Sequence, residues 1–191
     1  MENNTAAIEK IFLKLLAGKA MEASHLADRE FPFEPAMPSE RHYNPSQAMK
    51  VFVRDGFLDR YSGKQLLFPG ILRLLSVTLP TAFPFQQHWK MSQTHIIFWQ
   101  LFPTLDHVIP ISRGEADDEG NLVCTSMLRN SAKANWTLDE LGWQLHPPGN
   151  LGVWDGLTGL FLRFIEKEPN ALSTSYLKSW HKAAISVLGR P

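Results

Sequence analysis

Apolar residues recur at helical spacing near the start of the chain. Ile8, Ile11, Phe12, Leu15 and Leu16 fall at i, i+3, i+4, i+7 and i+8 with Thr5 available as N-cap, which predicts an amphipathic packing helix over residues 5–20. That rhythm stops at residues 31–45, where Pro32, Pro35, Pro38 and Pro45 predict an extended connector. Pro45-Ser46 opens a short helix to residue 53, and Arg54-Asp55-Gly56-Phe57 closes it. A turn at 60–65 precedes an apolar segment, 66–79, interrupted by Pro69-Gly70. Between 80 and 105, prolines alternate with aromatic residues, which predicts irregular structure, a short helix near 93–100, and core positions for Phe83, Phe85, Trp89, Phe98 and Trp99. Residues 105–111 read as a strand, 113–120 as a polar loop, 121–125 as the return strand and 126–135 as a helix. Two more helices follow, 153–167 with Trp154, Leu157, Leu160, Phe161 and Phe164 on one face, and 175–188 between Asn170 and Gly189.

Composition narrows the class. The chain has 191 residues, 44% of them apolar, including 6 Trp and 12 Phe, enough to bury one sizeable core and too few residues for two ordinary domains. Cys124 is the single cysteine, which excludes an internal disulfide and a Cys-rich zinc site and favours a reducing compartment. No apolar run reaches the ~18 residues of a spanning helix, and Met1-Glu2-Asn3-Asn4 lacks the basic start of a signal peptide, so the expectation is a cytoplasmic protein with no membrane partner. Net charge is zero, which by itself argues against a nucleic-acid partner. The sum conceals unlike segments: residues 41–73 hold six basic and two acidic groups, and residues 106–146 hold three and seven.

The candidate chemistry lies in that acidic segment. Asp106-His107 is followed by Asn121 and Asn130, 14 and 23 residues beyond the histidine. Adjacent strand residues face opposite ways, so Asp106 and His107 can serve one site only at a strand end, with a metal and a substrate on its two sides. Asp106 and Asn130 offer hard oxygens suited to Mg²⁺, Mn²⁺ or another divalent ion that keeps several waters. His107 can take a proton from water near neutral pH. Asn121 suits a brace whose amide fixes the loop. The acidic run Glu115-Ala116-Asp117-Asp118-Glu119 reads as the solvated part of that loop.

The run from Leu105-Asp106-His107-Val108-Ile109-Pro110 through Ser112-Arg113-Gly114 to Gly120-Asn121-Leu122, followed by Asn130 and Lys133, resembles the HNH (ββα-metal) endonucleases. The resemblance implies a metal-dependent endonuclease, with His107 as general base, Asp106 and Asn130 as metal ligands, and Asn121 as the structural Asn of the motif. Arg113, Arg129 and Lys133 are candidates for phosphate contact. DNA is the implied partner, with RNA as the alternative, in a restriction or defence setting. Oligomeric state stays open, a homodimer being compatible.

Upstream, Arg54-Asp55-Gly56-Phe57 with Tyr61 and Gly63 resembles the family's zinc knuckle, but the four cysteine positions hold Asp59, Ser62, Ser126 and Arg129. The resemblance therefore implies knuckle geometry with no structural zinc, held by hydrogen bonds or an Asp59–Arg129 pair, while Cys124 becomes a core thiol. The expected class is α+β: a treble-clef-like ββα core flanked by N- and C-terminal helices. The expected division is residues 1–45 as helix and connector, 46–146 as nuclease core with a 74–104 insert, and 147–191 as helical extension, together one compact domain. A catalytically inactive HNH scaffold serving as a nucleic-acid-binding or interaction module is the alternative.

Overall fold

The structure, a computed structural model, describes residues 4–33, 43–114 and 117–189, and the chain divides into two units, residues 1–40 and 41–191. In the first unit, α1 (Asn4–Leu16) and α2 (Ala20–Glu30) pair with each other through a turn at Gly18, whose φ of +74° suits glycine. The apolar stripe of α1 is read correctly as helical but not as buried: Ile8, Phe12, Leu15 and Leu16 are exposed, and Ala23 of α2 is the buried residue described. The sequence pattern does not reveal α2, which is polar on average and has no side-chain cap at Lys19. Pro35 and Pro38 of the expected connector lie outside the described residues.

The second unit is built around α3 (Pro45–Arg54). Asn44 caps it by accepting from the Gln47 amide at 3.0 Å, Gln47 returns the bond to the Asn44 amide, and Pro45 sits at the first helical position. Its buried face, Ala48, Met49, Val51 and Phe52, packs on α9 (Ser175–Leu188), which Thr174 caps and Gly189 ends. Phe52 stacks on Trp180 with ring centroids 6.0 Å apart and planes within 11°. Phe57, Phe68 and Phe161 continue this core, Phe161 coming from α8 (Thr158–Lys167). Residues 147–191 therefore supply half of the main core and are not an appendage. The helix expected from residue 153 begins at 158, because Gly156 and Leu157 are left-handed. Gly56 is required where it stands: with φ +61°, a Cβ there would lie 2.5 Å from the carbonyl carbon of Gly149.

The apolar segment after the turn becomes α4 (Pro69–Thr78), with Pro69 at its first position. A second cluster joins Leu72 of α4 to Phe98 and Trp99 of α5 (Ile97–Leu101), with Phe85, Trp89 and Phe102 packed against it. Of the aromatic residues expected in the core, Phe98 and Trp99 are buried and Phe85 and Trp89 pack against them, whereas Phe83 joins neither cluster. β1 (Pro103–His107) pairs antiparallel with β2 (Leu122–Ser126), Pro103 opposite Ser126 and His107 opposite Leu122. The first strand lies two to four residues earlier than 105–111, because proline is tolerated at a strand's first position and the chain turns after His107. α6 (Met127–Lys133) follows β2 directly and packs on both strands. A four-residue helix, α7 (Leu138–Leu141), follows. The class is α+β.

Cys124 is wholly buried in β2, and burial, then the nearby Asp55 and Asp59 carboxylates, pushes its thiol well above the ordinary range. It is expected to react with a chromogenic disulfide reagent at least about 100-fold more slowly in native buffer than in denaturing urea. Rapid reaction in native buffer would place the thiol at the surface.

Candidate active site at the end of the two-stranded sheet

His107 ends β1 with its ring largely buried. Its Nε2 lies 2.8 Å from Asp117 Oδ1 and 3.3 Å from the Tyr43 hydroxyl, which itself donates to Asp117 Oδ1 at 2.6 Å. A carboxylate only accepts, so in the neutral ring Nε2 carries the proton and Nδ1 is the basic nitrogen. Asp117 is thus not merely part of a solvated loop; Glu115 and Ala116 of the same run lie outside the described residues.

Asp106 turns the other way, as strand alternation requires. Its Oδ2 accepts from the Tyr61 hydroxyl at 2.7 Å and pairs with Lys133 Nζ at 3.0 Å. Burial first, and then the Asp106 charge, pushes the Tyr61 phenol far up, so it remains a donor to that carboxylate. Asp106 Oδ1 has no partner among the described residues.

Asn121, immediately before β2, clamps the loop that follows His107. Its Oδ1 accepts from the Ile109 amide at 3.0 Å, its Nδ2 donates to the Ile109 carbonyl at 2.9 Å, and its own carbonyl accepts from the Val108 amide at 2.9 Å. Asn130 on α6 donates from Nδ2 to the Leu105 carbonyl at 3.1 Å and to Thr104 Oγ1 at 3.4 Å, which fixes its side chain against β1 beside Asp106. Its amide oxygen has no partner among the described residues.

The three basic candidates diverge. Lys133 is fully buried, donating to the His107 carbonyl at 2.7 Å while pairing with Asp106. A direct phosphate contact by Lys133 is therefore corrected to an interior role: a buried ammonium requires partners, and it finds them on β1. Arg113, half-exposed, pairs with Glu140 at 3.1 Å. Hydrogen bonds from Thr137, then Arg113, hold the Glu140 carboxyl below its usual range. The Arg129 guanidinium lies over Trp143, 4.8 Å from the ring centroid.

Of the four positions matched to zinc-ligand cysteines, Asp59 and Ser126 are joined directly through the Asp59 carboxylate. Asp59 Oδ1 accepts from the Tyr61 amide and Thr125 Oγ1, each at 2.9 Å, and Oδ2 accepts from the Ser126 amide at 3.2 Å. The turn at residues 59–63 is thereby fastened to the start of α6, where Ser126 is the N-cap. Hydrogen bonds do this, and among the described residues no ion pair joins Asp59 to Arg129. The site roles of Tyr43, Tyr61 and Asp117 have no signature at sequence level, since each meets its partner only through the fold.

Among the described residues, no group of three or more His, Cys, Asp or Glu side chains is placed to hold a metal ion, and no helix is long and apolar enough to cross a membrane. Comparison with protein-family models, with curated proteins and with solved structures gives no match to this chain.

Proposed function

We propose that residues 41–191 carry a metal-dependent endonuclease of the HNH, ββα-metal type that hydrolyses phosphodiester bonds in DNA. The observation that carries this reading is the Asn121 clamp. Three hydrogen bonds to Val108 and Ile109 hold the loop beside His107, the role that the resemblance implies for this asparagine and one that composition does not require. Two strands and a helix in direct succession, with a turn fastened to the helix start, support the same reading.

In this mechanism Asp117 and Tyr43 hold the His107 ring by Nε2, and Nδ1 takes a proton from water. As the water oxygen bonds to phosphorus, the bond from phosphorus to the 3′ oxygen breaks, leaving a 5′-phosphate and a 3′-hydroxyl. Asp106 Oδ1 and the Asn130 amide oxygen, which have no partner among the described residues, would hold the divalent ion. Such an ion supplies charge stabilisation at the leaving oxygen. Lys133 compensates part of the Asp106 charge and fixes the carboxylate's rotamer. Arg113 and Arg129, at the surface of the same region, are the remaining phosphate contacts in this reading.

One observation favours the inactive module instead: the Lys133–Asp106 pair already neutralises the carboxylate that would bind metal. Plasmid nicking separates the two. Supercoiled DNA is expected to be nicked with Mg²⁺ or Mn²⁺, and excess chelator is expected to reduce that rate at least about 100-fold. No nicking with any divalent ion, at protein concentrations that bind DNA, would leave the binding module as the function. We place the protein in the cytoplasm on this reading.

A further inference from the structure

Beside the candidate site, residues 41–191 form a cavity of about 660 Å³ that is open to solvent, within the size range of small-molecule sites. Its walls are aromatic: Phe85, Trp89, Phe102, Tyr176 and Trp180 line it. One charged side chain reaches it. The Arg73 guanidinium carbon lies 3.8 Å from the Phe85 ring centroid and 5.4 Å from that of Tyr176. No carboxylate and no hydrogen-bond acceptor among the described residues meets this guanidinium, whose protein contacts of this kind are the two rings. Burial works against its charge. A half-buried cation in this position is stabilised by its rings and completed by an acceptor from a ligand.

The cavity reaches the chemistry through shared residues. Tyr43 and Leu105 line both this cavity and an adjoining hollow of about 340 Å³ that also touches Asp117, and the Tyr43 hydroxyl is 3.3 Å from His107 Nε2. That hollow is also lined by Lys50, Asp118 and Glu119, and a strand with one base among the rings would run past Tyr43 towards it. An apolar ligand would leave the guanidinium unused, and a free phosphate would leave five rings unused. A nucleobase uses both, having two π faces, acceptors along its edge, and a phosphodiester attached.

We propose that this cavity receives one unstacked nucleobase of the strand whose phosphodiester lies at His107, the base stacking on the aromatic walls while Arg73 donates to an acceptor on its edge. The proposal rests on the nuclease reading and names its substrate more narrowly. Guanine, whose O6 and N7 match the guanidinium fork, is the preferred base. Unstacking is least costly at single-stranded or mismatched positions, so these are preferred over perfect duplex.

The test uses the full chain and short single-stranded oligonucleotides in chelator, so that nothing is cut. A strand bearing one 5-iodouracil is expected to photocrosslink to peptides containing Trp89 or Tyr176. In fluorescence anisotropy, Arg73→Gln is expected to weaken binding of a guanine-containing strand about tenfold and to leave a strand abasic at that position unchanged. Crosslinks confined to residues outside the cavity, or equal affinity of Arg73→Gln for both strands, would overturn the proposal. Failure of any oligonucleotide to bind would do the same. If Arg73→Gln does not fold, the crosslink on the unaltered chain decides. Nicking that depends on His107 with crosslinks elsewhere would remove the cavity and keep the nuclease. Crosslinking in the cavity without nicking would keep the base site and remove the nuclease.

Discussion

Asp55→Ala is expected to lower the unfolding free energy by about 3–5 kcal/mol, the range for stripping one partner from a buried ion pair. Asp55 is completely buried between two guanidiniums: Oδ1 accepts from Arg54 Nε and Arg60 Nη1, both at 2.9 Å, and Oδ2 from Arg54 Nη2 at 3.1 Å. Oδ2 also accepts from the Cys124 amide at 2.8 Å. The hydrogen bond to Asp55 is the main reason that the Arg54 guanidinium titrates even higher than usual. Arg54 in turn donates to the Glu119 and Leu122 carbonyls and Arg60 to the His146 carbonyl, so one carboxylate connects the end of α3, the turn at 59–63, β2 and the chain before Pro147. Alanine would take from both guanidiniums their shared carboxylate, leaving them only backbone carbonyls, and would leave the Cys124 N–H without its acceptor. Thermal unfolding should fall by about 6–20 °C for a chain of this size. A loss under about 1 kcal/mol in urea titration would mean that these strands and helices do not depend on the network.

His107→Ala is expected to reduce plasmid nicking by about 10² to 10⁴, the usual contribution of a positioned general base. Its stability should change little by comparison, because the partner left behind, Asp117, is nearly half-exposed and regains water. That contrast is the diagnostic: activity falls while the unfolding midpoint stays within a few degrees. Wild-type nicking in the variant would remove His107 from the chemistry. A parallel collapse of fold and activity would assign the ring a packing role.

Elements closed by local signals were the legible ones. Pro45 opens α3 and Gly189 ends α9 as the sequence implies, because such signals are decided within a few residues, while the caps Asn44 and Thr174 emerge from the structure. α2 was not legible, since no cap announces it and its composition is polar on average. In the candidate site, Asp106, His107, Asn121 and Asn130 could be read from spacing, and the structure brings all four to β1 and the loop after it. Their partners could not. Tyr43 is 64 residues from His107 and Tyr61 is 45 from Asp106, and only tertiary packing brings them together. Lys133 reads as a surface cation on a polar helix; it is interior because β1 presents it with a carboxylate and a carbonyl at once.

The Asp59 junction has a practical consequence. Where a cysteine-lined turn would hold α6 through a metal–thiolate bond, here the closure is made by a carboxylate with backbone and hydroxyl donors. Folding is thereby uncoupled at this junction from zinc supply and from thiol oxidation. Chelators and oxidants that would dismantle a cysteine knuckle leave these bonds intact, so a change in activity under either treatment reports on the reaction and not on loss of this scaffold.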